Sequence, residues 1–360
     1  MQKNKMPAWD LTDFYKGTDD PQIKKDLETY RKSAIKFAKD YKGKLANLSA
    51  AEFAKVLQDI EKRSKIASRL GGFAYLNMVT QMKNQEAVAF YQGIEEKLTD
   101  YVKPTIFFSL EFNKLPQQKI NEWLKNDEVK AHKYWIKRVR RFKDYELSEK
   151  EEEILVEKAL TSGDAWVRLY EETSSRLVYK VDGKEYNDAE ISKLLLEKDA
   201  QTRMKAGKEI NRVLLENSHL FTFIYNMVMK DKAIEDDKRG FKTPVSSRNM
   251  SEDISDKSVE VLTQTVKEHY KDIAHRFYKL KAKWLGVKKI NYWDRNAPLP
   301  FSNDVTYTWD EAVKIVLDAY KEFSPKLYDI AKEFFDNNWI DVPPRDGKRS
   351  GAFCSGPLAT

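Results

Sequence analysis

Apolar side chains recur along most of the chain at intervals of three and four residues. In the first such run, Ile23, Leu27, Tyr30, Ala34 and Phe37 fall on one side of a helix, because an α-helix turns once every 3.6 residues. The same period predicts further helices over residues 191–198, 203–234, 258–285, 309–323 and 326–337. The pattern therefore predicts a mainly α-helical protein.

Capping boxes mark where several of these helices begin. In this motif a Ser, Thr or Asn side chain caps the helix, and a Glu three residues later reaches back to the capping residue. The pairs that fit are Ser49 with Glu52, Ser148 with Glu151, Asn187 with Glu190, and Thr308 with Glu311. Each precedes an apolar run of helical period, which strengthens the helical prediction.

One β-hairpin interrupts the helical pattern. Residues 176–181 and 184–186 alternate in polarity around Asp182-Gly183, a dipeptide that favours the tight turns of hairpins. We place a domain boundary at the hairpin, which divides the chain into domains 1–185 and 186–360. A boundary within residues 115–125 is the alternative.

Composition describes a globular chain with a mixed surface. Of 360 residues, 41% are hydrophobic and 34% charged, and only 13 Gly and 11 Pro are present. The scarcity of Gly and Pro disfavours a β-sandwich or β-barrel with its many tight turns. The formal charge of +7 is a mild basic excess spread along the chain, which does not imply a nucleic-acid partner.

The sequence favours a cytoplasmic location. Cys354 is the single cysteine, so no disulfide forms within the chain, as is usual in a reducing compartment. Residues 1–10 become polar before any apolar segment develops, so we expect no signal peptide. No apolar run has the length of a membrane span, and we expect no membrane partner.

The chain lacks a recognisable catalytic constellation. It has four histidines and no HExxH motif, and His269 and His275 are six residues apart, which places them on different sides of a helix. Cys354 follows Lys348 and Arg349, whose charges would favour a thiolate, but no motif pairs it with a histidine. We therefore predict no catalytic residue and no metal ligand in this chain.

Two charged stretches admit competing interpretations. Residues 132–143 interleave six Lys/Arg with aromatic residues, as in some nucleic-acid-binding surfaces. Trp135, Val139 and Phe142 recur at helical spacing, however, which favours aromatic residues facing a core and solvated cations. We expect no nucleic-acid partner. Residues 236–239, Asp-Asp-Lys-Arg, are interpreted as a solvated loop.

Several segments, in order along nearly the whole chain, together resemble one family. They are WDLTDFY at 9–15, YKGKL at 41–45, KDKAIED at 230–236, RGF at 239–241, SRN at 247–249, HRFYKLKAKWLG at 275–286, WDRNAPLP at 293–300, FDNNWID at 335–341 and GKRSGAF at 347–353. The ordered set is similar to oligoendopeptidase F, a branch of the thimet-oligopeptidase-like zinc metallopeptidases.

The resemblance implies a two-lobed helical peptidase that hydrolyses short, unstructured peptides with zinc. It also implies that the HExxH motif and the other zinc-binding groups would lie downstream of Thr360. We therefore expect an incomplete catalytic lobe, no zinc bound to this chain and no activity of the chain alone. We also expect uncovered apolar faces within residues 200–340.

The resemblance assigns one candidate substrate-binding element. Residues 350–354 occupy the place of a strand whose edge pairs with the substrate backbone in the family, so Gly351, Ala352 and Phe353 are the candidate substrate-binding residues. Small residues there would allow a peptide to approach and add a strand. The alternative for the whole chain is a non-catalytic helical scaffold or peptide-binding module. The sequence does not indicate an oligomeric state.

Overall fold

The computed structural model describes residues 6–302 and 305–357. Residues 1–5, which begin the segment used to predict the absence of a signal peptide, lie outside this part, as does Thr360. These described residues are mainly α-helical with one two-stranded hairpin, so the predicted fold class is confirmed. No helix of the described part is long and apolar enough to cross a bilayer.

From residue 6 to residue 175, the described part contains nine α-helices. They are α1 (Pro21–Tyr41), α2 (Ala50–Val79), α3 (Gln85–Val102), α4 (Phe107–Lys114), α5 (Gln117–Trp123), α6 (Asp127–Ala131), α7 (Lys133–Arg141), α8 (Glu149–Ala159) and α9 (Gly163–Ser175). The predicted stripe of α1 is buried from Ile23 to Phe37. Short 3₁₀ turns at Leu45–Asn47, Lys103–Thr105 and Lys143–Tyr145 join some of these helices.

The second half begins with the hairpin and continues as helices. The elements are β1 (Tyr179–Val181), β2 (Lys184–Tyr186), α10 (Asp188–Leu194), α11 (Ala200–Glu216), α12 (Ser218–Arg239), α13 (Ser246–Ser251), α14 (Asp256–Glu268), a π-helical turn (Tyr270–His275), α15 (Arg276–Trp284), a 3₁₀ turn (Tyr292–Asp294), α16 (Trp309–Phe323) and α17 (Pro325–Asp336).

The hairpin forms as predicted. Asp182 and Gly183 both have positive φ angles, 50° and 79°, which is the requirement of a type I′ turn. The register pairs Tyr179 with Tyr186 and Val181 with Lys184. Because alternate side chains of a strand share a face, Tyr179 and Val181 are both buried, against Ile191 of α10.

An aromatic core fixes the N-terminal helices. Trp123 is fully buried, and its indole stacks on Phe53 with ring centroids 3.9 Å apart. Phe53 also stacks on Phe112 at 5.6 Å. The Trp123 Nε1–H donates a hydrogen bond to the Leu48 carbonyl at 3.0 Å, so the polar end of the buried indole is satisfied.

A buried ion pair attaches the loop after α15 to α11. The Arg203 guanidinium lies 2.9 Å from an Asp294 carboxylate oxygen, and both side chains are more than nine-tenths buried. Arg203 also donates to the carbonyls of Glu197 and Lys198 at 2.8 Å. Nearby, Gly207 of α11 lies so close to Trp293 that a Cβ there would meet the Trp293 Cβ at 2.7 Å.

Three sequence predictions are wrong in detail. The helix expected over 203–234 is two helices separated at Asn217, and the one expected over 258–285 is interrupted by the π-helical turn. The expected loop at 236–239 is instead the end of α12. Arg239 there pairs with Glu152 at 2.7 Å; this partner lies 87 residues away along the chain, so local sequence gives no sign of it.

The uncovered apolar faces expected within residues 200–340 are present. Helices α14, α16 and α17, all within the described part, contain no buried residue. Phe323 is 84% exposed, whereas α1 buries six of its residues. Side chains of this kind normally lie inside a protein or against a partner.

We therefore predict strong binding of a hydrophobic dye such as ANS by the purified chain under native conditions. The exposed faces of α14, α16 and α17 supply the apolar surface that such a dye requires. The fluorescence enhancement of the dye should exceed the enhancement produced by a well-packed monomer of similar mass. Addition of the dye should leave the far-UV circular dichroism spectrum of the chain unchanged. A dye enhancement no greater than that of such a monomer would contradict the exposure of these apolar faces.

Candidate functional site

The segment that contains the candidate substrate-binding residues is anchored to the end of α2. The Met82 N–H donates to the Gly347 carbonyl at 2.7 Å, and the Arg349 N–H donates to the Val79 carbonyl at 2.8 Å. Gly347 has a φ of 75°, a conformation that glycine adopts without strain. These two hydrogen bonds place residues 347–349 against the N-terminal helices.

Arg349 connects this segment to two helices, α2 and α9. Its guanidinium donates to the Tyr75 hydroxyl at 2.5 Å and lies 2.8 Å from a Glu171 carboxylate oxygen of α9. It also lies over the Phe353 ring, 5.8 Å from its centroid. Phe353 contacts the Tyr75 ring edge-on at 5.8 Å. Arg349 is therefore a structural anchor of the segment.

A buried carboxylate holds the turn that precedes Gly347. Asp341 accepts two hydrogen bonds from the Arg345 guanidinium at 3.0 Å and forms an ion pair with Lys348. Burial alone would raise the pKa of the Asp341 carboxyl, but the hydrogen bonds from Arg345 and Lys348 outweigh it and hold that pKa below its ordinary value. Asp341 therefore stays ionised at neutral pH and keeps both cations in place.

Gly351, Ala352 and Phe353 are exposed and have irregular secondary structure. Their backbone N–H and C=O groups make no hydrogen bond within residues 6–302 and 305–357, and Gly351 has a φ of 82°. No strand is formed there, because a strand requires a paired neighbour. Their unpaired backbone groups are those that an added peptide would use.

A cavity of about 730 Å³ borders this segment. Residues 342–351 form one wall, and Tyr170 and Glu171 of α9, Tyr179 of β1 and Phe221 of α12 contribute to the others. Its volume lies within the range of small-ligand sites. The cavity therefore places a mixed aromatic and polar space beside the candidate substrate-binding residues.

The described residues do not provide a zinc site. Within 6–302 and 305–357, no group of three or more His, Cys, Asp or Glu side chains could hold a metal ion. The His132 imidazole lies 3.7 Å from a Glu61 carboxylate; one imidazole and one carboxylate fall short of the three protein ligands of a catalytic zinc site. His269 directly precedes the π-helical turn, and His275 is the last residue of that turn. Zinc does not fit these residues.

Cys354 is exposed, and its basic neighbours have other partners. Lys348 donates to the carbonyls of Asp341 and Pro343 at 3.0 and 3.2 Å, and Arg349 pairs with Glu171. These contacts give the two cations a structural role in the segment.

The basic segment 132–143 agrees with its prediction only in part. Lys133, Lys137 and Lys143 are exposed, as expected of solvated cations. Arg138 and Arg141, however, donate to backbone carbonyls of residues 250–251 at 3.0 Å, and Arg141 pairs with Asp253. Trp135 is partly buried against the aromatic core, as predicted. Arg138 and Arg141 thus attach α7 to the end of α13.

Comparisons with known proteins agree with this architecture. A family model described as oligopeptidase F matches residues 111–179, and a model of peptidase family M3 matches residues 194–360. Oligopeptidase PepF of Bacillus subtilis is 23% identical over 98% of this chain and 53% of its own length. An oligoendopeptidase F homolog of Lactococcus lactis is 24% identical over 98% of this chain and 59% of its own length.

A solved structure shows the same fold. Oligoendopeptidase-F from Enterococcus faecium superposes with a TM-score of 0.71 at 16% identity, covering 88% of this chain and 66% of that chain. The two family matches identify the class of the chain as the M3 peptidase family. Within that class, the chain belongs to the oligoendopeptidase F family. It spans between half and three-fifths of the length of these two curated relatives.

Sequence reasoning missed the anchors of the candidate site. Tyr75 and Glu171 lie far from Arg349 along the chain, so no local motif joins them. One signal was available in the two adjacent glycines of α2, because glycine within a helix often marks a close approach of another segment. At Gly72, a Cβ would meet the Pro357 ring at 2.3 Å.

Proposed function

We propose that this chain is part of a zinc-dependent metalloendopeptidase that hydrolyses short, unstructured peptides. Membership of the oligoendopeptidase F family supports the reaction class. Peptide substrates are supported by the names of its relatives, which are oligopeptidases.

The cavity beside residues 347–351 is the observation that carries the peptide-binding part of the proposal. Gly351 lines this cavity, and the backbone groups of Gly351, Ala352 and Phe353 are unpaired within the described residues. An extended peptide would pair with these groups as an added strand, and its side chains would enter the space lined by Tyr170 and Phe221. A folded protein cannot offer such a free backbone, which favours short peptides.

We further propose that the chain is inactive by itself. The sequence contains no HExxH motif, and the described residues provide no group of metal ligands. In the complete enzyme, zinc would polarise the scissile carbonyl and activate water. The residues of this chain would contribute binding and orientation of the peptide. A helical scaffold or peptide-binding module remains the second candidate, since the same cavity supports it.

The two-domain division and the cytoplasmic location remain proposals. The division into 1–185 and 186–360 is supported by the hairpin and by the two family matches, which end at residue 179 and begin at residue 194. The location is supported by the single cysteine.

Peptide binding at the 351–353 edge can be tested with a short, fluorescently labelled, unstructured peptide and anisotropy. Ala352→Pro removes a backbone N–H at an exposed position. We therefore expect the affinity for the peptide to fall about tenfold, which corresponds to a loss of about 1.4 kcal/mol in binding free energy. Ala352→Val keeps the N–H and serves as the matched control, with affinity close to that of the unmodified chain. Equal loss in both variants, or no binding by the unmodified chain, would refute the edge-pairing proposal.

A further inference from the structure

The cavity beside residues 347–351 has a partly apolar wall. Tyr170 of α9 and Phe221 of α12 meet edge-on, with ring centroids 5.5 Å apart, and both line the cavity together with Leu177 and Leu214. Tyr170 is 50% exposed and Leu214 is 41% exposed, so their side chains are accessible to a ligand. A wall of this kind accommodates the hydrocarbon part of a bound group.

The charged side chains that line the cavity are paired, with one exception. Five of the six contact a group of opposite charge, namely Glu171, Arg345, Asp346, Lys348 and Arg349. The sixth, Asp188, is the first residue of α10 and forms no ion pair within residues 6–302 and 305–357. The wall therefore contains one carboxylate whose charge is not offset by a paired cation.

Tyr179 contacts this carboxylate. The Tyr179 side chain is buried, and its hydroxyl donates to an Asp188 carboxylate oxygen at 3.4 Å. Burial and the neighbouring Asp188 charge raise the pKa of Tyr179 to about 12, so the hydroxyl keeps its proton at neutral pH. Asp188 itself is exposed. One neutral hydroxyl leaves most of the acceptor capacity of the carboxylate free for a ligand.

We propose that this cavity binds a cationic group of the peptide, either a Lys or Arg side chain or the N-terminal ammonium, and that Asp188 is the carboxylate partner. The hydrocarbon stem of Lys or Arg would lie along Tyr170 and Leu214, and its charged end would reach Asp188. The face of the Tyr170 ring also attracts a cation. This inference rests on the proposed function, because the cation belongs to the peptide that would pair with residues 351–353.

An anionic group of the peptide agrees less well with the described walls of the cavity. The Lys348 ammonium contacts the Asp341 carboxylate and donates to the carbonyls of Asp341 and Pro343 at 3.0 and 3.2 Å, which uses all three of its donors. Arg345 donates to both Asp341 carboxylate oxygens and to the Thr80 carbonyl. An anion would have to displace these contacts, whereas a cation can bind Asp188 without breaking an ion pair.

The charge preference of the cavity can be measured with short peptides that differ at one position. Each peptide is acetylated, has a neutral fluorophore at its C-terminus, and contains Lys, Arg, norleucine or Glu at a position that is moved along an otherwise uncharged sequence. At one position or more, we expect the Lys and Arg peptides to bind about tenfold more tightly than the norleucine peptide in fluorescence anisotropy. The Glu peptide should bind most weakly. Added salt should reduce the preference for Lys, because it screens an exposed ion pair.

Asp188→Asn tests the carboxylate. It should remove the preference for Lys over norleucine and leave the affinity for the norleucine peptide unchanged, which also shows that the variant is folded. Asp188→Glu keeps the charge and should retain a preference for Lys. Asp127→Asn is the matched control, because Asp127 is exposed and follows Asn126 at the start of α6 as Asp188 follows Asn187 at the start of α10. Asp127 does not line the cavity, so this variant should keep the full preference.

The possible outcomes separate this inference from the proposed function. Equal affinity of the unmodified chain for the Lys and norleucine peptides at every position would overturn the inference and leave the proposed function intact. A preference for Lys that persists in Asp188→Asn would also overturn it. Binding of none of the peptides would refute the proposed function and this inference together. Tight binding of a norleucine peptide with a free N-terminus would support the site and identify the N-terminal ammonium as its ligand.

Discussion

Trp123→Ala should destabilise the protein by about 3–5 kcal/mol, the usual effect of removing a large buried aromatic side chain. The indole is fully buried, stacked on Phe53 and hydrogen-bonded to the Leu48 carbonyl. Its removal leaves a cavity between α2 and α5 and an unsatisfied carbonyl. Urea unfolding followed by far-UV circular dichroism measures the change.

The matched control is Phe323→Ala, which removes an aromatic side chain that is 84% exposed. Its effect on the free energy of unfolding should stay within about 0.5 kcal/mol. A Trp123→Ala effect as small as that of the control would mean that the aromatic core does not hold the N-terminal helices together.

Asp294→Ala should cost a similar amount, about 3–5 kcal/mol, for an electrostatic reason. The substitution leaves the Arg203 guanidinium buried without its carboxylate partner, and only the carbonyls of Glu197 and Lys198 remain as acceptors. The loop that follows α15 should then detach from α11. The same urea experiment measures the loss.

Two variants separate charge from packing at this pair. Arg203→Met with Asp294→Leu replaces both charges by apolar groups and should recover much of the stability, because no unpaired buried charge remains. Arg248→Ala removes an exposed pair with Glu252 and should cost less than about 1 kcal/mol. A double variant as unstable as Asp294→Ala would show that shape, and not charge, decides this contact.

Local signals predicted much of the fold. All four capping boxes form, at Ser49, Ser148, Asn187 and Thr308, because each depends on residues within one helical turn. The hairpin turn at Asp182-Gly183 likewise depends on the φ angles of two adjacent residues. Predictions of this kind need no knowledge of the tertiary structure.

The remaining features depend on distant parts of the chain. Apolar periodicity continues across Asn217 and the π-helical turn, so it does not reveal that these helices end. The cations of residues 132–143 meet residues 250–253, and Arg349 meets Tyr75 and Glu171. Helical periodicity contains no information on such pairings, and the cavity that they border was not predicted for the same reason.

We propose that this chain binds peptides but lacks the groups that cleave them. The most direct test incubates the purified chain with an internally quenched short peptide and added Zn²⁺, with and without EDTA. We expect the peptide to bind and no fluorescence to be released in either condition. Turnover that EDTA abolishes would contradict it.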